Sequence, residues 1–204
     1  MKGGMIGLVV VVIAVLMLGG CVAGQYNQLV TQKEEVSNKW AQVDNQLQRR
    51  GDLIGNLVET VKGSMIQEQE VFGAIANARA AMSGAKSPAA GIEAARGMDS
   101  AIGRLLVVME NYPQLRSQEN VAQLMDEIAG TENRIATERM RYHDVVKTFN
   151  VLVKRFPMTL FARMFGFEES PYYPVPEAAK ATPKVDFKDM RTPAAGTEPA
   201  PATK

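Results

Sequence analysis

His143 is the only imidazole in the chain, and Asp144 follows it directly. A nucleophilic or acid–base site needs such a base oriented by a third group, with a nucleophile in reach. On a helix, however, neighbours i and i+1 point apart, and His143 sits one position off the apolar stripe marked by Tyr142. It reads as a surface or boundary histidine. A carboxylate-bridged di-iron site in a bundle would need Glu-x-x-His on each of two helices; three residues before His143 stands Met140. One Cys and one His cannot assemble a structural zinc site. Gly84-Ala85-Lys86-Ser87 lacks the Gly-Lys adjacency and the upstream strand of a phosphate loop. The twelve methionines fall mostly on helix stripes or in the leader, where Met fills gaps in cores and is not needed as a copper ligand. These residues predict no catalytic group, no metal and no cofactor.

One chemistry does have its residues, and it is covalent attachment of lipid. Between Lys2 and Lys33 there is no charged side chain. Within that stretch Met5–Leu18 reads MIGLVVVVIAVLML, and Lys2 with the α-amine supplies the positive flank of a secretory signal. Leu18-Gly19-Gly20-Cys21 follows and resembles a bacterial lipobox. There a thiol accepts diacylglycerol, and small neighbours let the peptidase reach the bond, making Cys21 the lipidation candidate. Val22 comes next, not Asp, so nothing here resembles an inner-membrane retention signal. The competing reading is an uncleaved span: Gly3–Gly24 is uncharged and has the roughly 20 residues a helix needs to cross a bilayer. Glycines at both ends weaken a span more than a signal. Either reading ties the chain to a membrane, and residues 1–20 are assigned to a signal peptide or anchor.

The remaining elements must position anything the chain does. Lys plus Arg number 23 and Asp plus Glu 22, so no basic surplus exists for a nucleic-acid face, and none is expected to bind. Leu29, Val36 and Val43 recur every seven residues, and Trp40, Leu47, Ile54 and Val61 form a second series. Together they advance by three and four, the coiled-coil-like spacing of one helical stripe. Gly51, Gly55 and Gly63 interrupt the segment at about 1 kcal/mol each relative to Ala, which predicts a bend between Gly55 and Gly63. Ser83–Pro88 breaks the pattern, with Ser87 as N-cap and Pro88 in the first turn of the next helix. Tyr112-Pro113 ends that helix. A long last one runs from near Ser117 to Phe156-Pro157, striped by Val121, Leu124, Ile128, Ile135, Tyr142, Val145, Phe149 and Leu152.

Short connections between long amphipathic segments predict an all-α, antiparallel up-and-down bundle of three to four long helices. It occupies residues 21–169 behind the N-terminal membrane anchor. Four helices result if the first segment breaks near Gly63. Leu160, Phe161, Met164, Phe165 and Phe167 are expected to pack over one end of the bundle. From Ser170 to Lys204 seven prolines and few large apolar residues predict an extended, largely disordered tail. Asn56, Thr60, Thr131 and Asn133 lie in or beside the stripes and are expected to hydrogen-bond across helices.

Several strings in this chain resemble the LemA family. They are Tyr26-Asn27-Gln28-Leu29-Val30, Trp40-Ala41-Gln42-Val43-Asp44, Gln46 through Ile54, and Asn56 through Gly63. Later blocks are Glu110-Asn111-Tyr112-Pro113, Gly130 through Ile135, and Arg139-Met140-Arg141-Tyr142. Phe165-Gly166-Phe167, Pro171-Tyr172-Tyr173 and Pro183 through Phe187 are similar to the family's C-terminal signature. The resemblance spans roughly residues 26–187. It implies a helical bundle behind a membrane anchor and supplies no agreed enzymatic activity. Gly55 departs from it, standing where Pro is usual and suggesting a softer glycine hinge. His143 and Phe149 replace an expected Asn and Tyr, and a Pro/Ala-rich stretch extends beyond the signature.

The expected function is a membrane-tethered, non-enzymatic scaffold or protein-interaction module of the bacterial cell envelope, on the extracytoplasmic side. Its partners would be the lipid bilayer and envelope proteins that the sequence does not name. The polar positions matching the family's blocks are the structural or partner-contact candidates: Arg49, Arg50, Asp52, Asn56 and Glu59 on the first segment, Asn133, Arg134 and Arg141 on the last. An envelope hydrolase acting on peptidoglycan, or a helper subunit of a membrane protease or transport complex, are the competing expectations. No pattern sets the oligomeric state.

Overall fold

The computed structural model describes residues 2–174; Met1 and residues 175–204 lie outside it, and with them most of the expected tail and the Pro183–Phe187 block. Six helices follow in order: α1 Lys2–Val61, α2 Gln69–Gly84, α3 Pro88–Met109, α4 Pro113–Arg116, α5 Glu119–Lys154 and α6 Met158–Phe165. Among the described residues there is no strand. The architecture is all-α, as the periodicity predicts.

Helix α1 passes through Cys21 and the neighbouring glycines without interruption. The helix is also unbroken at Gly55. A Cβ on Gly55 would lie 2.6 Å from the guanidinium of Arg79, which occupies the space the glycine leaves on that face. The break comes later, at residues 62–68. Met65 N and Ser64 N both donate back to Val61 O, and Met65 is pulled into the core beneath the turn. The four-helix arrangement is therefore the one adopted.

The register follows from cross-helix pairs. Along α1, Lys33 lies over Phe149, Trp40 meets Tyr142 edge-on and Arg50 meets Glu132, so α5 runs antiparallel to it. Gly91 packs on the Trp40 ring and Asp99 on Arg50, so α3 runs parallel to α1. Ser87 caps α3 by accepting from Ala90 N at 3.3 Å, with Pro88 as its first helical residue. These are the cap and the proline start that the sequence predicts. The core is one continuous cluster, running from Leu29, Val36, Val43 and Leu47 on α1 to Ile128, Ile135, Tyr142 and Phe149 on α5, with Met98 and Leu105 from α3.

Past α5 the chain turns into α6, which ends at Gly166. With φ +73° this residue takes the left-handed cap that a Cβ would strain. The chain then returns along α5. Its first four residues beyond the expected boundary do not leave the bundle: Ser170 and Tyr173 are buried, and the docked chain extends to Tyr173. The end-capping patch is also only partly as expected. Met158 and Ala162 face the bundle, while Leu160 and Met164 face outward.

Candidate functional site

Three regions carry features beyond bundle packing. The first is the arm of α1. From Leu8 to Leu18 its large apolar side chains are all exposed, Leu16 at 69%, although the window they form is strongly apolar. An amphipathic helix would bury one stripe; this segment is apolar all round, the pattern of a helix meant for a lipid environment. The arm is long and apolar enough to cross a membrane. Cys21 lies on it as an exposed free thiol.

The second is a buried ionic cluster. Arg50 is 1% exposed. Its Nη1 reaches Asp99 Oδ1 at 2.7 Å and Glu132 Oε1 at 2.6 Å, tying α1 to α3 and α5 at one point. Nε and Nη2 donate to no atom among the described residues. Burial acts to lower the pKa of the guanidinium, but the charges of Asp99 and Glu132 and the hydrogen bonds they accept outweigh it, and the pKa is raised. The two carboxylates keep contact with water, their side chains being 40% and 44% exposed. The cluster is a three-helix clamp, buried at its cation and solvated at its anions.

The third is the docked strap, Ser170–Tyr173. Asn150 satisfies the Ser170 backbone twice, its Nδ2 donating to Ser170 O at 2.9 Å and its Oδ1 accepting from Ser170 N at 2.8 Å. Lys33 Nζ donates to Ser170 Oγ at 3.1 Å. Tyr142 Oη donates to Pro171 O at 2.8 Å, and burial pushes the phenol up to about 12. His143 Nε2 lies 2.5 Å from Tyr173 O. A carbonyl oxygen only accepts, so this nitrogen carries the proton. Arg139 stacks 4.0 Å from the centre of the Tyr173 ring and donates to its hydroxyl at 2.7 Å. Burial raises the Tyr173 phenol, and the Arg139 charge partly opposes it. His143, the boundary histidine of the sequence, is thus a strap anchor.

The expected polar positions do not converge. Arg50 is buried in the bundle, where it holds Asp99 and Glu132. Arg49 is exposed and lies 4.0 Å from Glu127. With Arg134 it lines a surface groove of about 450 Å³ between α1 and α5. Asp52 pairs with Arg79 at 3.2 Å, Glu59 with Lys62, and Arg141 with Glu138 at 2.6 Å. Asn56 and Asn133 are exposed. Among the described residues, Asn56, Thr60, Thr131 and Asn133 make no side-chain hydrogen bond to another helix. Thr60 Oγ1 donates to Asn56 O, Thr131 Oγ1 to Glu127 O and Thr137 Oγ1 to Asn133 O, all one turn back on their own helices. Inter-element hydrogen bonds are made instead by Lys33, Arg50, Arg79, Arg139, Tyr142, His143 and Asn150. One signal for Arg50 was in the sequence. It continues the series Leu29, Val36, Val43 by seven and precedes Leu57 by seven, a cation at a core position. Asp99, Glu132 and Tyr173 had no such signal.

A family model described as the LemA family matches residues 39–187. Magnetosome protein MamQ 2 and MamQ 1 of Paramagnetospirillum magneticum strain AMB-1 are each 25% identical to this chain over 195 aligned positions. Those alignments cover 81% of this chain and 71% of each relative. MamQ of Magnetospirillum gryphiswaldense strain MSR-1 is also 25% identical, with the same coverage.

Proposed function

The chain belongs to the LemA family, and on that footing we propose that it is a membrane-tethered, non-enzymatic helical scaffold that holds an envelope protein partner on the extracytoplasmic side. The observation that carries this reading is the continuity of α1. One unbroken helix serves as apolar arm over its first part and as bundle core over the rest, so a force or position at the membrane is transmitted directly to the bundle. The lipobox-like Leu18-Gly19-Gly20-Cys21 offers a second form of the same tether, lipid attachment at Cys21 with residues 1–20 removed as a leader and α1 still continuous from Cys21 into the bundle. The groove at Arg49 and Arg134 is the partner surface, because it is exposed and joins two polar positions of the family's blocks.

Two measurements test it. Intact mass of the detergent-extracted native protein, compared with Cys21→Ser, decides the form of the tether: acyl chains on a chain beginning at Cys21, lost in the variant, mark the lipid anchor, and an unmodified full-length mass marks the spanning arm. A photo-crosslinker placed at Arg49 should give a discrete adduct that Arg134→Glu abolishes while thermal stability is kept. Turnover of peptidoglycan by the purified chain, abolished by a single Glu substitution, would overturn the non-enzymatic reading.

A further inference from the structure

Among the described residues, nothing covers one apolar face of helix α6. Phe156, just before it, is 76% exposed, and Leu160 and Met164 on it are 59% and 62% exposed. Leu160 and Met164 stand four residues apart and share one face, while Met158 and Ala162 on the opposite face are buried against the bundle. Arg155 and Arg163 are exposed beside this face, as are Glu168 and Glu169 just beyond it, Glu169 being paired with Lys154 at 2.7 Å.

The position of α6 says what covers that face. Because α5 is antiparallel to α1, its C-terminal end lies at the end of the bundle from which the arm emerges. Beyond it, Phe165 and Phe167 pack edge-on against Tyr26, with ring centres 5.0 and 6.0 Å away. Tyr26 lies inside the uncharged stretch of α1, seven residues or about 10 Å to the arm side of Lys33, the first charge after Lys2. It is also only five residues, about 7.5 Å of helix, from Cys21. A spanning arm and a lipidated Cys21 therefore bring α6 to the same level. We propose that α6 is an interfacial helix, lying on the bilayer that holds the arm, with Phe156, Leu160 and Met164 inserted among the acyl chains and Arg155 and Arg163 among the phosphates. An apolar face bordered by basic side chains is the form that binds in the headgroup region, and tyrosine belongs at that depth. The helix fixes the tilt of the bundle on the membrane; a bare tether would leave the bundle free to swing.

The inference rests on the membrane-tether reading, and its test separates the two. Full-length chain carrying Cys21→Ser and one new cysteine is labelled with an environment-sensitive fluorophore and reconstituted into vesicles of phosphatidylethanolamine and phosphatidylglycerol. The cysteine is placed at Leu160, at Leu16 in the arm, or at exposed Gln123 near the opposite end of the bundle. A quencher attached to the lipid should lower emission from positions 16 and 160 by about twofold or more and leave position 123 unaffected. Met164→Cys should repeat the result of Leu160→Cys. Quenching at 16 with none at 160 overturns the interfacial helix and spares the tether. No quenching at either removes both. A label at 160 shielded from an aqueous quencher but untouched by the lipid quencher means that protein, such as a second copy of the chain, covers the face, and the proposal fails.

Discussion

The two parts of α1 share one backbone and meet opposite fates. In the arm, Val10, Ile13 and Leu16 are exposed; in the bundle part, Leu29, Val43 and Leu57 are fully buried. Hydrophobicity does not separate them, since both are rich in Leu, Val and Ile. Distribution around the helix does. The buried side of the helix is covered by α5 and the α2–α3 hairpin, and the remaining faces hold Glu34, Gln42 and Gln48 in water. An apolar cylinder has no face that two or three neighbours leave safely to solvent, so its partner must be a medium and not an element.

Substitutions should divide along the same line. The largest effect belongs to the arm. Val11→Asp with Val15→Asp should oppose insertion by about 5–7 kcal/mol, from roughly 2.5–3.5 per buried carboxylate. Nearly all protein should move from the membrane pellet to the soluble fraction, with the thermal midpoint of the bundle unchanged. Loss of the folded bundle in that variant would break the comparison, because it would make the arm part of the core.

Next comes the clamp. Asp99→Asn with Glu132→Gln strands a buried cation and should cost about 3 kcal/mol in denaturant unfolding. Arg50→Met should cost less than half as much, because both carboxylates already reach water. The order reversing would mean that the carboxylates, not the cation, carry the desolvation penalty.

Alkaline pH tests the strap end of the bundle. The fold holds the Tyr142 phenol neutral, with its pKa raised from 10 to about 12. The folded state therefore keeps its proton through a range in which the unfolded chain loses it. The stability is fully present below pH 10 and falls as pH rises through about 12, by roughly 2–3 kcal/mol. Tyr142→Phe should remove this part of the slope, leaving the part due to the raised Tyr173 phenol, while costing about 1 kcal/mol at neutral pH for the bond to Pro171 O.

The smallest contrast is between two glycines. At Gly91 a Cβ would run into the Trp40 ring, rigid and packed on Tyr142, so Gly91→Ala should cost about 1–3 kcal/mol. At Gly55 it meets the end of the exposed, flexible Arg79 side chain. Gly55→Ala should stay within about 1 kcal/mol of neutral, helix propensity offsetting the loss of the Arg79–Asp52 pair. Calorimetric midpoints of the two variants decide it.

Much of the fold was legible because its signals are local. The seven-residue recurrence from Leu29, the Ser87-Pro88 start and the Tyr112-Pro113 stop each depend on residues within a turn or two of one another. Of the glycines expected to bend the first segment, Gly63 lies in the break while Gly55 stays helical, because propensity counts a glycine's cost and not what fills the space it leaves; at Gly55 that is a guanidinium from α2. Thr60 and Thr131 were expected to bridge helices, yet each finds a nearer acceptor in the carbonyl four residues back.

By itself the sequence determined the uncharged arm, the apolar stripes of the long helices, and the helix start at Ser87-Pro88 and stop at Tyr112-Pro113. All three follow from composition, period and local signals. Only tertiary structure decided that Arg50 would find Asp99 and Glu132, 49 and 82 residues away, that Ser170–Tyr173 would dock along α5 and that the outer face of α6 would be left open beside Tyr26. Each of these depends on the register between helices. Register is set by the sum of many core contacts, and no single spacing along the chain records it.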